Sequence, residues 1–466
     1  MAEKPTRTER DSMGEIPVPA AALYGAQTAR AIENFPISGR RLPDSLIAAL
    51  GVIKLAAAGA HKLAGRLDDE LADAIIQAAT EVADGKLNAH FPVDVYHTGS
   101  GTSTHMNANE VIANRASQLL GGQAGDRRVH PNDDVNLGQS SNDVFPTAVH
   151  IAAADGIHHR LVPALRSLRD ALEDKAREFD DVVKIGRTHL MDAVPVRLGQ
   201  EFAGYASQLT GVLGMLANAV GWLCELPIGG TAVGTGLNAP DDLAGSICKV
   251  AEEAYQLPFR EAKNHFEAQG ARDALVFASG SLRAVALAMG KIASDIRLMG
   301  SGPRCGLGEL KLPAIQPGSS IMPGKVNPVI CEAVIQVACQ VVGNDAAVAA
   351  GGTGGVGSIL ELNVAMPMMA ANVLDSIALL AGAARTLEEK CVLGLAADAE
   401  RCAELIEQSL AMVTALTPAI GYDRAAEVAK EAHATGKTVR EVCLDRGLLD
   451  SAQLDDLLDP RGQTGH

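Results

Sequence analysis

Gly318-Ser319-Ser320-Ile321-Met322-Pro323-Gly324-Lys325-Val326-Asn327-Pro328 is the stretch on which the reading of this chain turns. Two glycines and two prolines frame two serines, a lysine and an asparagine. Glycine lets a backbone approach a ligand closely and proline stiffens a turn, so the loop presents its polar groups from a rigid frame. Asn327-Pro328 predicts a helix start, with asparagine as the cap and proline in the first helical position. A loop that empties into a helix N-terminus suits an anion, because unpaired N–H groups and the helix dipole both favour negative charge. A nucleotide phosphate loop is excluded, since that pattern needs four residues between its glycines and a hydroxyl after the lysine. Here five residues separate Gly318 from Gly324, and Val326 follows Lys325.

Working outward, three further polar clusters precede helical stretches. Thr98-Gly99-Ser100-Gly101-Thr102-Ser103-Thr104-His105-Met106-Asn107 holds more hydroxyls than one helix cap requires. His130-Pro131-Asn132-Asp133-Asp134-Val135-Asn136 leads into Ser140-Ser141-Asn142-Asp143, where Asn142 or Asp143 suits a cap and Pro146 falls in the first turn. Gly186-Arg187-Thr188-His189-Leu190 contains a lone histidine. Most such histidines are structural, but one beside a hydroxyl is also a candidate acid–base group.

The pattern between these clusters is helical almost throughout. Ala72–Val82 and Ala108–Leu120 show 3.6-residue apolar spacing. Ala274–Met299 carries only Arg283, Lys291, Asp295 and Arg297 as charges, and Ala333–Gly343 carries none. Helices apolar nearly all round need burial on every side, which predicts a central bundle. Gly351–Gly357 reads as a helix break. Weak boundaries near Val135–Ser141 and Leu393–Asp398 divide the chain into residues 1–140, 141–394 and 395–466. In the last of these, Cys402, Leu405, Ile406, Leu410 and Val413 mark an amphipathic helix.

Composition narrows the partners. The 466 residues are 47% hydrophobic but only 3% aromatic, so the core is built from Ala, Leu, Val and Ile. A net charge of -16 argues against nucleic acid and against an anionic membrane surface. No run of eighteen apolar residues escapes interruption by charge, Gly or Pro, so no transmembrane helix is expected. Met1–Arg10 has no apolar leader core. Eight scattered cysteines without C-x-x-C read as reduced thiols of a cytoplasmic protein. His158-His159 are adjacent rather than one turn apart, and no metal site is expected.

The Gly318–Pro328 loop resembles the signature of the fumarase/aspartase superfamily, and the other three clusters match the conserved blocks of that family. The resemblance runs from about Arg10 to the C-terminus. It implies an all-α, three-domain fold whose central long-helix bundle is shared in a homotetramer, with sites built between subunits. It implies a lyase that forms fumarate from a small dicarboxylate without a cofactor. By the same resemblance Ser319 is the base, Lys325 and Asn327 stabilise the charge that forms, and His189 with Glu332 handles the leaving group through a water. Ser100, Gly101, Thr102, Ser140, Ser141, Asn142, Thr188 and Ser320 complete the substrate contacts. Arg127, His130, Pro131, Asn132 and Asp133 form a second dicarboxylate site. Ser100, Ser141 and His130–Asp134 point to the fumarase branch, hydrating fumarate to malate in the tricarboxylic acid cycle. Thr102-Ser103-Thr104 and the tail Thr435–Val442 resemble the aspartase branch instead, which keeps an ammonia-lyase as the alternative. His105 stands where the family carries Asn, and Met191 where it carries Gln.

Overall fold

The computed structural model describes residues 5–465. Residues 1–4, part of the stretch read as lacking a leader, lie outside them. Along the chain the elements are β1 (Thr6–Asp11), β2 (Gly14–Pro19), α1 (Ala26–Asn34), α2 (Asp44–Leu63), α3 (Asp69–Ala83), α4 (Thr102–Leu119), α5 (Ser141–Asp155) and α6 (Val162–Glu178). Then come β3 (Val183–Thr188), β4 (Met191–Arg197), α7 (Leu198–Leu223), α8 (Leu243–Tyr255), α9 (His265–Gly270), α10 (Asp273–Met299), α11 (Val329–Gly352) and α12 (Met366–Lys390). Five short helices close the chain: α13 (Ala399–Gln408), α14 (Thr417–Ile420), α15 (Tyr422–Thr435), α16 (Val439–Asp445) and α17 (Ser451–Leu457). The protein is mostly helical, and among the described residues the strands pair as two-stranded sheets.

The chain divides into two compact units. The first comprises Met1–Pro163, Gly214–Ala286 and Cys339–Ala381. Within it α2 packs against α3, α5 and α8, and α3 against α4. A Cβ on Gly51 would sit 2.5 Å from Ala83 N, so glycine is what lets α2 and α3 approach. Asp68 caps α3 by accepting from Glu70 N and Leu71 N. Glu110 anchors α1 from α4: its buried carboxylate accepts from Gly25 N, Gln27 N, Thr28 N and Thr28 Oγ1.

The second unit comprises Ala164–Leu213, Leu287–Ala338 and Gly382–His466. Here β3 and β4 form an antiparallel hairpin with a register shift between Ile185 and Arg187, and α13 packs on β3. Ile185 joins a cluster of Ile406, Leu416, Val428, Val442 and Leu454 that forms the core of the C-terminal helices.

The long helices fall where the periodicity places them, with extended ends. The stretch expected at 72–82 is helical over Asp69–Ala83, and that at 274–299 over Asp273–Met299. The uncharged stretch 333–343 lies inside the longer α11. α4 begins at Thr102 rather than 108, because Gly101 at φ 79 turns the chain into the helix and the hydroxyl run forms its first turn. Ser140, not Asn142 or Asp143, caps α5, so Pro146 lies in the second turn rather than the first. α13 ends at Gln408, and Leu410 and Val413 belong to a following 3-10 helix. Among the described residues, four helical segments (Asp44–Leu63, Asp273–Met299, Val329–Gly352, Met366–Gly394) have the length and composition of a membrane span despite their interruptions. In α2 the protein itself covers most of that surface, burying 72% of the most apolar window.

Candidate active site

In the first unit, two polar clusters meet. The Ser100 and Thr102 hydroxyls lie 2.7 Å apart, and Thr102 Oγ1 lies 2.8 Å from Ser141 Oγ. Three hydroxyls from the starts of α4 and α5 thus form one chain. Gly101 makes this possible: it is left-handed, and a Cβ there would fall 2.2 Å from the ring of buried Phe145. Ser140 and Asp143 close a capping box at the head of α5. Asp143 also accepts from Gly229 N at 3.1 Å and Thr231 N at 3.0 Å, while Asn142 Nδ2 donates to Ala232 O at 2.8 Å. Burial raises the Asp143 pKa, and these N–H donors oppose it.

In the second unit, Ser319 Oγ accepts from Met322 N at 3.0 Å and Ile321 N at 3.3 Å. Successive backbone N–H groups aimed at one oxygen form a concavity that favours negative charge on it. Gly318 N donates to Lys325 O at 2.7 Å, and Asn327 Nδ2 donates to Gly318 O at 2.5 Å, closing the loop on itself. One N–H of the Asn327 amide is thereby used and the other stays free to donate. Asn327 does not cap α11 as expected; Pro328 O accepts the first helical bond, from Glu332 N. Lys325 and Ser320 are exposed, and Glu332 is half-buried in the first turn of α11.

His189 sits at the tip of the β3–β4 hairpin, beside exposed Thr188. His189 and Leu190 are the two central residues of the turn, with φ 56 and 60. Such turns favour Asn and Gly, so two side-chain-bearing residues here hold strain at the tip. The hairpin base resists relaxation. Arg187 Nη1 donates to fully buried Glu309 at 2.8 Å, and Lys184 Nζ donates to Glu201 Oε1 at 3.0 Å. His189 and Glu332 share no hydrogen bond or ion pair within the chain. Met191, beside the tip, is 70% exposed.

The residues expected at a second dicarboxylate site lie in the first unit. His130 caps the turn Pro131–Val135 by accepting from Asp133 N, and lies 3.2 Å from Asp133 Oδ2. Arg127, at φ 55, lines a small cavity with Arg10, Glu110, Asn114 and Pro131; Asn132 is exposed.

Sequence reasoning missed three supporting elements. The loop Gly229–Gly236 tethers the head of α5, and its signal was a dense run of Gly and Thr. Glu309 carries no local pattern, because its partners lie far away in sequence. Lys54 is a single charge in the apolar run of α2, a visible anomaly that periodicity alone passes over.

A lyase family profile matches residues 14–343, and a fumarase C C-terminus profile matches residues 412–464. The chain is 54% identical over 464 residues to fumarate hydratase class II 2 of Bradyrhizobium diazoefficiens, covering 99% of this chain and 98% of that one. It is 55% identical over 453 residues to fumarate hydratase class II of Mycobacterium tuberculosis, covering 97% and 94%. The crystal structure of recombinant class II fumarase from Schistosoma mansoni superposes with a TM-score of 0.93 at 40% identity, covering 98% of each chain. With both profiles matched and relatives more than half identical over nearly the whole chain, the chain belongs to the lyase family of the class II fumarases.

Proposed function

We propose that this chain catalyses the reversible hydration of fumarate to malate, and that Ser319 is the base. The observation that carries this reading is the pair of backbone N–H groups on Ser319 Oγ. A serine hydroxyl is a weak base, and amides that stabilise its oxyanion remove that obstacle. When malate is dehydrated, Ser319 takes the proton from C3. The electron pair moves into the adjacent carboxylate, where Lys325 and Asn327 hold the added charge. The C–O bond at C2 then breaks, and the departing hydroxide receives a proton from His189 through a water, leaving fumarate and water. Ser100, Thr102, Ser141 and Asn142 receive a carboxylate, and Gly101, Ser140, Thr188 and Ser320 shape their surroundings.

The site is shared between copies in a homotetramer. Within one chain His189 has no bond to Glu332, and we read the pair as one formed between subunits. The bundle helices support this reading. In α11 only 33% of the most apolar window is buried, and Trp222 of α7 and Leu287 of α10 are 57% and 56% exposed. Apolar surface on this scale calls for a partner, and sedimentation tests it: a folded monomer overturns the shared site. Residues 1–140, 141–394 and 395–466 act as three domains around that bundle. Arg127, His130, Pro131, Asn132 and Asp133 hold a second dicarboxylate, and eight free thiols suit a reducing, cytoplasmic setting.

The deciding experiment follows fumarate absorbance with malate and, separately, with aspartate. We expect turnover of malate alone. Turnover of aspartate alone overturns the hydratase reading in favour of the ammonia-lyase.

A further inference from the structure

Helix α2 carries a buried charge. Lys54 is 0% exposed in a run otherwise made of Ile, Val, Leu, Ala and Gly. Its Nζ lies 2.8 Å from His105 Nε2, 3.0 Å from Asn136 Oδ1 and 3.0 Å from Gln139 Oε1. An ammonium has three N–H donors and no acceptor, so three acceptors in this arrangement satisfy it. The two amides cannot turn round. Asn136 Nδ2 donates to Gln139 O at 3.2 Å, and Gln139 Nε2 donates to Val135 O and Leu137 O, both at 3.2 Å. Their oxygens are thereby fixed on Lys54. Asp143 supplies the countercharge, held as a carboxylate by the N–H groups of Ser140, Gly229 and Thr231. Burial pushes the Lys54 ammonium down and the Asp143 carboxyl up, and the attraction between the two charges opposes both shifts. His105 is left as a neutral ring accepting at Nε2; burial first, then the Lys54 charge, holds its pKa well below the usual imidazole value.

The three acceptors belong to the two segments that carry the substrate hydroxyls. His105 lies one turn beyond Thr102 on α4. Gln139 immediately precedes Ser140, and Asn136 belongs to the same loop. The geometry points to Lys54 as a positioning residue for the hydratase reaction. Its ammonium ties the Thr102 and Ser141 segments into one receptor, and it places a fixed positive charge behind the hydroxyls that receive the anionic substrate. His105, the residue that departs from the family pattern, is the acceptor through which α4 is held. The inference rests on the reading that Thr102 and Ser141 bind substrate.

The test compares Lys54→Met, His105→Gln, His105→Leu and Thr102→Val, all as the assembled enzyme, with circular dichroism as the check on folding. Glutamine at 105 restores an acceptor near the position of Nε2, whereas leucine removes it. We expect folded Lys54→Met to raise KM for malate at least tenfold while kcat changes less than threefold. His105→Gln should stay within threefold of the parent in KM, and His105→Leu should rise tenfold. Folded Lys54→Met with unchanged KM overturns the proposal. If Lys54→Met does not fold because Asp143 is left unpaired, the His105 pair decides: equal KM for glutamine and leucine overturns it. Thr102→Val separates the two readings. Raised KM there with unchanged KM in Lys54→Met removes Lys54 alone. Unchanged KM in Thr102→Val removes the hydroxyl receptor, and with it the route by which Lys54 acts.

Discussion

Replacing Gly101 with alanine adds one methyl group between two residues of the hydroxyl chain, and the cost follows from the geometry. The backbone at Gly101 has φ 79, and the new Cβ would lie 2.2 Å from Phe145 Cγ and 2.4 Å from its Cδ2. A left-handed alanine costs about 1–2 kcal/mol. Phe145 is 0% exposed, so its ring cannot swing into solvent; displacing a packed side chain costs about 1–3 kcal/mol more. The sum is roughly 2–5 kcal/mol, which lowers the melting temperature by roughly 2–5 °C in a protein of this size. Phe145 stands one turn beyond Ser141 on α5, so the same displacement moves Ser141 away from Thr102. KM for malate should rise about tenfold, which corresponds to about 1.4 kcal/mol of lost binding. Gly59→Ala is the control. That glycine lies inside α2 with nothing within 4 Å of an added Cβ, so alanine should stabilise by about 0.5–1 kcal/mol through helix propensity. Differential scanning and steady-state kinetics read both variants. If Gly101→Ala melts with the parent and keeps its KM, the steric argument for this glycine is wrong.

Ser319→Ala should lower kcat by about 10²–10⁴-fold, the span of a lost general base, with the melting temperature nearly unchanged because the loop is half-exposed; kcat within tenfold of the parent refutes Ser319 as base. Acid should destabilise the fold through buried His150 and half-buried His97, whose pKa values are both pushed down to about 4, by desolvation before any other cause. The unfolded chain protonates these rings near 6.5 while the folded one does not, so their contribution is complete above that pH and is lost as pH falls toward 4. At pH 5 the loss is about 2 kcal/mol per histidine. His150→Gln should therefore flatten the fall in melting temperature between pH 7 and pH 5, and an unchanged slope counts against the assignment. Glu110→Ala should destabilise by about 3–5 kcal/mol, since buried donors left without an acceptor cost about 1–3 kcal/mol each and four at the head of α1 lose theirs; a shift below 1 °C refutes that anchoring role.

The fold was legible where one rule governs a long stretch. Periodicity located α3, α10 and α11 because apolar spacing repeats over many turns. It failed at the ends, where single residues decide. α4 starts six residues early because Gly101 can be left-handed, a property that apolar spacing does not register. The β3–β4 hairpin went unread because its alternation is broken twice. Lys184, a charged residue, is buried on the inward face, and the register shift after Ile185 changes which side chains face in. The first exception has a long-range cause, since Lys184 is neutralised by Glu201 and Glu309 far away in sequence.

The candidate site divides along the same line. Clusters contiguous in sequence, such as Ser140-Ser141-Asn142 and Gly318–Pro328, were read because each carries its chemistry locally. What fixes them in space was not read. The pair of N–H groups on Ser319 Oγ depends on how the loop closes through the Asn327 amide, and the hydroxyl chain depends on Gly101 and on the head of α5. Lys54 shows why this second layer escapes inspection. One lysine in an apolar helix looks like an exception to the pattern, and its role emerges only when three distant acceptors are seen to converge on it. A buried ammonium replaced by an apolar residue of similar volume often costs a protein no stability when its countercharge is removed too. The charge on Lys54 is therefore better accounted for by its three acceptors in the Thr102 and Ser141 segments than by any gain to the fold.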